Sequence, residues 1–249
     1  MRIEVLTLFP ELVEQVARHG MPRIAAEQGQ LQLQTRNLRD YSTNKWRKVD
    51  DRPYGGGPGM VMEAEPLAAA IHASKEAMGE ARVVMLSPQG ARFDQRWAER
   101  LSREPGLVLL CGRYEGLDER LLRTEVDLEL SLGDFVLSGG ELAAMVVIDA
   151  IARLLPGVLG HEQSAVEDSF THGLLDHPHY TRPEEWRGER VPEVLMGGDH
   201  AKVARWRLQQ ALGSTWLKRP DLLEGLELDK EQKELLREFI AGQAGSGKR

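Results

Sequence analysis

The stretch that decides the fold runs from Arg82 to Gly140. It opens with Arg82-Val83-Val84-Met85-Leu86, which ends in Ser87-Pro88-Gln89-Gly90. Leu107-Val108-Leu109-Leu110 follows, ending in Cys111-Gly112-Arg113-Tyr114-Glu115-Gly116; Val126–Leu130 then ends in Ser131-Leu132-Gly133-Asp134. Short apolar runs bounded by glycine and proline have the length of strands, and helical stretches lie between them. Strands alternating with helices predict a parallel α/β sheet, and nearly all-apolar strands suit its centre, where both faces are covered. Ligands bind such sheets beyond the carboxyl ends of the strands, where all three glycine-containing loops would lie. Small residues there let the backbone approach a flat ligand such as adenine and offer it N–H and C=O groups. Ordinary strand-to-helix turns would have the same spacing.

Towards the N-terminus, Arg2–Phe9 reads as a strand ending at Pro10, followed by a helical stretch over Glu11–Ala26 and a strand over Leu31–Thr35. Asp50–Met60 has too many glycines and prolines for a regular element, and Pro66 is suited to open a helix over Pro66–Met78. Towards the C-terminus, Ser138 and Glu141 have capping-box spacing before a helix over Leu142–Leu155, which Pro156 stops. Only Asp149 and Arg153 break its apolar character. A helix apolar nearly all round is buried nearly all round, by a second subunit or by the chain's own core. Residues 157–175 read as a linker or mobile loop, and 176–249 as helical. Asp199 can cap Ala201–Leu212, with Gly213 just past its end, with Ala201, Ala204, Leu208 and Ala211 on one face and Lys202 and Arg205 outward. A further helix is predicted over Asp229–Ala241. The expected organisation is a sheet domain over 1–159, a flexible linker over 160–175 and a small helical domain over 176–249.

The chain has 249 residues, 41% hydrophobic and 29% charged, which fits a globular protein and excludes fibrous and coiled-coil classes. Its longest apolar run, Leu142–Ile148, is far short of the roughly 20 residues of a membrane span. Glu4 interrupts the apolar N-terminus, against a secretory signal, and the single cysteine, Cys111, permits neither an intrachain disulfide nor a cysteine zinc cluster. A cytoplasmic location is expected. The net charge of −7 argues against a nucleic-acid partner, but the charge is uneven. Residues 200–220 carry Lys202, Arg205, Arg207, Lys218 and Arg219 with no acid, a local +5, and residues 36–52 carry six basic side chains against three acidic ones. Solvated basic faces would look the same.

Several motifs fail. Gly242, Gly247 and Lys248 have Walker spacing, but Arg249 stands where serine or threonine is needed and no strand precedes them. No G-x-G-x-x-G follows a predicted strand, which disfavours a nicotinamide oxidoreductase. His177 and His179 flank Pro178 without helix-face spacing, and a polar loop is the simpler reading than a metal site.

Taken together, the motifs resemble the bacterial tRNA (guanine-1-N)-methyltransferase family of the SPOUT superfamily, which methylates the guanosine just 3′ of the anticodon. The resemblance rests on Val49–Met60 (VDDRPYGGGPGM), Leu86–Gly90, Cys111–Gly116, Gly133–Glu141 (GDFVLSGGE), Pro156–Gly160, Glu167–Phe170 and His179–Pro183 (HYTRP), in order along the chain to about residue 220. It departs at Ala143, often proline in the family, and at Phe135, often tyrosine. It implies a knotted SPOUT-type parallel-sheet domain plus a small helical C-terminal domain, and a homodimer with each active site built from both chains. It also implies S-adenosylmethionine held by three loops. Leu86, Ser87, Pro88 and Gly90 come from the first. Gly112, Tyr114, Glu115 and Gly116 come from the second. The third gives Leu132, Gly133, Asp134, Phe135, Val136, Leu137, Ser138, Gly139 and Gly140.

The implied reaction removes the weakly acidic proton of guanine N1 before the methyl group is transferred. The resemblance gives the general base to Asp168 and the stabilisation of charge on O6 to Arg153. An i, i+4 ion pair of Arg153 with Asp149 is the structural alternative. Glu115 is a candidate magnesium ligand, and Lys202, Arg205 and Arg207 are candidates for gripping tRNA phosphates. A non-catalytic RNA-binding protein that keeps only the fold is the remaining alternative, against which Asp168 and Arg153 together argue.

Overall fold

The computed structural model describes residues 1–159 and 168–246, with side chains to residue 243. The chain divides into two compact units, Met1–Glu162 and Gln163–Arg249.

The first unit is built on a five-stranded parallel sheet of β1 (Arg2–Thr7), β2 (Gln32–Asn37), β5 (Arg82–Arg92), β6 (Gly106–Cys111) and β7 (Leu128–Ser131), in the order β2-β1-β6-β5-β7. The predicted parallel α/β architecture is therefore present. Side-chain alternation sorts each central strand onto two cores. Ile3, Val5, Leu107, Leu109, Val84 and Leu86 enter one; Leu6, Val108, Leu110, Val83 and Met85 enter the other. Both faces are covered, so strands with no polar face are stable here. A two-residue antiparallel pair, β3 (Asp50–Asp51) with β4 (Val61–Met62), brackets the glycine-rich loop.

Several element boundaries differ from those expected. The Glu11–Ala26 helix is broken into α1 (Pro10–Val13), a 3-10 turn over Glu14–Arg18, and α2 (Gly20–Glu27), because His19 is extended and Gly20 has φ +60°. Helix α3 (Ala64–Met78) starts two residues before Pro66, with Glu63 as its N-cap. Strand β5 does not end at Leu86. Its chain leaves the sheet over Ser87–Gly90 and rejoins β7 at Ala91, so that Leu86 and Ala91 share Leu130 as partner. Between β5 and β7 lie α4 (Gln95–Leu101) and α5 (Glu119–Glu125).

Helix α6 (Glu141–Ala152) is largely buried within its own chain: Ala143, Ala144, Val147, Ile148, Ile151 and Ala152 join the core on one face of the sheet. Most of its apolar character thus needs no second subunit. The exposed residues Leu142, Val146 and Asp149 fall at i, i+4 and i+7 on one stripe, which half-buried Arg153 continues. Among the described residues, no helix is long and apolar enough to cross a membrane.

The second unit is not helical from residue 176. A small hairpin, β8 (Glu185–Trp186) with β9 (Glu189–Arg190), turns on Arg187 and Gly188, both at positive φ, and a 3-10 turn follows at Glu193–Leu195. Then come α7 (His200–Lys218), α8 (Pro220–Glu224) and α9 (Lys230–Ser246). Asp199 caps α7 by accepting a hydrogen bond from the Lys202 N–H at 3.1 Å, as its position suggested. Gly213 does not terminate the helix. It sits buried inside α7, where a Cβ would lie 2.4 Å from the Phe239 ring, so it is glycine for close packing on α9. The buried face is set by Leu212, Gly213 and Thr215, and Ala201 and Ala204 of the expected apolar face are exposed.

Gly213→Ala is expected to lower the stability of this unit by about 1–2 kcal/mol, because overpacking against Phe239 exceeds the helix-propensity gain of up to about 1 kcal/mol. Urea unfolding measures it, and Gly213→Ala combined with Phe239→Leu should recover part of the loss.

Candidate functional site

The order β2-β1-β6-β5-β7 reverses direction around β5. The chain runs from β5 to β6 on one side and then crosses to β7 on the other. A crevice opens at the carboxyl ends of strands on either side of such a reversal. Here it is a cavity of about 360 Å³, within the range of small-molecule sites of roughly 300–1,000 Å³.

All three glycine-containing loops reach this cavity. Of the seventeen residues named for cofactor contact, fifteen line it and two, Gly90 and Asp134, do not. Gly90 is a packing glycine: a Cβ would lie 2.4 Å from the Leu130 backbone nitrogen, where the strand rejoins β7. Gln89, Arg113, Glu119, Glu129, Ser131 and Ala143 also line the cavity. Gln89, Arg113 and Ser131 belong to the three loops themselves, whereas sequence order hides Glu119, Glu129 and Ala143, which enter only through the packing of α5, β7 and α6.

The loops are braced from below. Gly140 stands where a Cβ would meet Cys111 Cα at 2.8 Å, and its N–H donates to the Gly112 carbonyl at 3.0 Å. The second loop is clasped by the glycine-rich segment: Glu115 N–H donates to the Met60 carbonyl at 3.0 Å, and Met62 N–H to that of Gly116 at 2.9 Å. Gly59, at φ +82°, leaves room for Glu115, whose carboxylate a Cβ would strike at 2.3 Å. Tyr114 is held at φ 59°, a conformation costly for a side-chain-bearing residue and concentrated at functional sites. At the rim, Tyr114, Phe135 and Val136 leave large apolar side chains exposed.

Beneath the rim lies a buried polar cluster. Glu141, 1% exposed, accepts from Thr7 Oγ1 at 2.8 Å and pairs with Arg113 Nη2 at 2.9 Å. The Arg113 guanidinium also donates to the Ser138 carbonyl at 3.2 Å and stacks 4.5 Å over the Phe9 ring. The capping box is therefore absent. Gly140 is the N-cap of α6 and makes no side-chain hydrogen bond, because Glu141 is drawn into the sheet and Ser138 faces Arg113. One carboxylate thus joins β1, the second loop and the third. Burial, and then the Glu141 carboxylate, push the Cys111 thiol well up, leaving it a poor nucleophile.

The wall is acidic: Glu115, Glu119 and Glu129 line the cavity against the one lining guanidinium, Arg113, which is itself paired. That balance suits a cationic ligand and opposes the pyrophosphate of a dinucleotide. Among the described residues, Glu115 is not gathered with other metal-ligating side chains; the cluster that exists is Asp176, His177 and His179.

Arg153 follows the last turn of α6, whereas Gly140 and Ala143, at its beginning, line the cavity. Twelve helical residues separate the two ends by roughly 18 Å, so one chain does not bring its own Arg153 to its own cavity. Asp168 belongs to the second unit, where its carbonyl accepts from the Thr171 N–H at 3.3 Å. Glu167 and Gly160 of the recognised motifs lie outside the described residues.

The basic stretch 200–220 loses much of its isolation on folding. Arg205 is held by Glu238 of α9 through two contacts of 3.1 and 3.2 Å, and Lys202 pairs with Asp199 at 3.3 Å. The Glu238 hydrogen bond, with Glu231 and Glu234 also near, raises the Arg205 guanidinium further above its ordinary range. Arg207 is exposed on the same helix.

Comparison with known proteins adds three findings. The family model described as tRNA (Guanine-1)-methyltransferase TrmD matches residues 1–225. A protein named tRNA (guanine-N(1)-)-methyltransferase from Halorhodospira halophila is 63% identical over 241 residues, covering 96% of this chain and 91% of its own. Proteins of the same name from Methylococcus capsulatus and Chromobacterium violaceum are 58% and 56% identical, each covering 96% of both chains.

Glu141→Gln should destabilise the first unit by about 2–3 kcal/mol in urea unfolding, since it leaves the Arg113 charge without its partner. Glu119→Gln, at an exposed carboxylate of the same wall, should stay within about 0.5 kcal/mol of the parent.

Proposed function

The chain belongs to the tRNA (guanine-1)-methyltransferase family, and from that premise we propose that it methylates N1 of the guanosine immediately 3′ of the tRNA anticodon, in the cytoplasm, using S-adenosylmethionine. The observation that carries the cofactor assignment is the acidic cavity lined by the three glycine-containing loops at the sheet reversal. Its carboxylates suit a sulfonium and an ammonium, and its loops offer N–H and C=O groups to an adenine edge. When bound, the cofactor supplies an electrophilic methyl group.

The protein's own task is to prepare guanine N1, whose lone pair is unavailable while N1 carries its proton. Asp168 takes that proton as general base, a step worth about 10²–10⁴-fold. The negative charge that spreads to O6 is met by Arg153. The base is turned out of its stack to reach the site, and phosphate contacts hold the anticodon arm without reading its sequence.

The position of Arg153 supports a homodimer as part of this reading. Leu142 and Val146 are about half exposed on the outward stripe of α6, and Arg153 continues that stripe. A second copy covering Leu142 and Val146 would take Arg153 out of solvent and towards the other chain's cavity, which its own helix keeps it from reaching. The knotted path implied by the family places the three loops side by side, and we include it in the proposal. Magnesium is left out, since among the described residues no further ligating side chains gather about Glu115.

The test is incubation with labelled S-adenosylmethionine and unmodified tRNA. Label should enter at N1 of that guanosine and vanish when the guanosine is replaced. Asp168→Asn should lower kcat by at least about 10²-fold while leaving cofactor binding intact. Full-rate methylation by a folded Asp168→Asn protein would remove the proposed base. For tRNA binding, Arg207→Ala with Lys202→Ala should reduce the salt slope by about one to two phosphate contacts. Arg205→Ala should chiefly loosen α7 from α9, by about 0.2–1 kcal/mol, since it already has a partner.

A further inference from the structure

Asp176, His177 and His179 form a compact cluster that the methyl-transfer chemistry does not use. His177 Nδ1 lies 2.5 Å from Asp176 Oδ1, and His179 Nε2 lies 2.9 Å from Asp176 Oδ2. The three potential ligand atoms lie within 4.8 Å of one another. The His177 side chain is only 10% exposed, while that of His179 is 71% exposed. The two rings stand edge to face, 4.5 Å apart, and His177 is packed against Trp206 of α7.

The segment is held in place before anything binds. Leu175 N–H donates to Thr215 Oγ1 at 2.9 Å, and Asp176 N–H donates to Ser169 Oγ at 3.0 Å. Pro178 fixes the backbone between the two histidines.

We propose that Asp176, His177 and His179 form a structural site for a transition-metal dication, with zinc the best match. Two imidazole nitrogens and one carboxylate oxygen suit zinc, whereas magnesium prefers oxygen ligands throughout. Ligand bonds of about 2.0–2.1 Å in tetrahedral array put ligand atoms roughly 3.3 Å apart. To reach that spacing the 2.5 Å Asp176–His177 contact would open by under about 1 Å, the 2.9 Å His179 contact by less, and the two imidazoles would close on the ion, which replaces the protons now shared between carboxylate and imidazoles. Each neutral ring then carries its proton on its other nitrogen, and water completes the coordination. The ion would brace the turn that begins at Asp168, because Ser169 is tied to Asp176. Its binding does not depend on the proposed methyl transfer.

The test uses the full chain and zinc alone, titrated against a chromophoric chelator at neutral pH. One zinc per chain is expected, with affinity falling at least about tenfold in His179→Ala and again on acidification as protons compete. His179 is exposed, so this variant should keep the parent's near-ultraviolet circular dichroism. A second measurement needs no variant: cobalt(II) added to the unsubstituted protein should give the intense visible bands of a four-coordinate site, and zinc should quench them. Absence of micromolar zinc binding, unchanged affinity in His179→Ala, or a cobalt spectrum no different from that of the aqueous ion would each overturn the proposal.

Discussion

The Glu141 carboxylate is the interaction on which the geometry of the cavity depends. It is buried where the first strand, the Cys111–Gly116 loop and the start of α6 converge, and it bonds Thr7 and Arg113 together. A buried charge of this kind is costly unless it is paired and hydrogen-bonded. Its presence therefore forces three distant segments into one arrangement, because any other leaves an unpaired ion in the core. Arg113 passes the constraint to the third loop through the Ser138 carbonyl, and Gly139 and Gly140 allow the approach because they have no side chain to obstruct it.

On this frame the cavity is walled by glycine-containing loops, apolar side chains and three carboxylates, Tyr114 and Phe135 stand at its rim, and its floor is the end of a parallel sheet. Rigid support below and exposed apolar groups above are what a site needs if it is to hold a ligand in one pose and then be covered. The second unit is organised differently. Its helices meet through a glycine against a phenylalanine ring and through Arg205 against Glu238, and its 168–176 turn is fastened by Ser169 and Thr215. The family assignment and the cavity geometry rest on different observations.

Particular residues show where reading a sequence succeeds and fails. Strands of the central sheet were legible because full burial leaves no polar face, and the three loops because glycine and proline punctuate them. Ser138 and Glu141 misled because capping-box spacing is a local signal, and a half-buried arginine 25 residues upstream of Ser138 offered stronger partners. Gly213 looked like a helix end because glycine usually is one there; only the ring opposite reveals its packing role. The basic run of α7 looked unopposed because its counter-charges lie outside it, Asp199 just before the helix for Lys202 and Glu238 on α9, 33 residues away, for Arg205.

The amino-acid order by itself determined the α/β class, the three loops at one sheet edge and the family, because these depend on local pattern and on motifs that are contiguous in the chain. The tertiary structure alone decided which acids line the cavity, that Arg153 stands a helix length from it, and that Asp176 gathers two histidines. Each of these is a distance between groups, set by how helices and loops pack and by which buried charges must find partners, and linear spacing does not encode it.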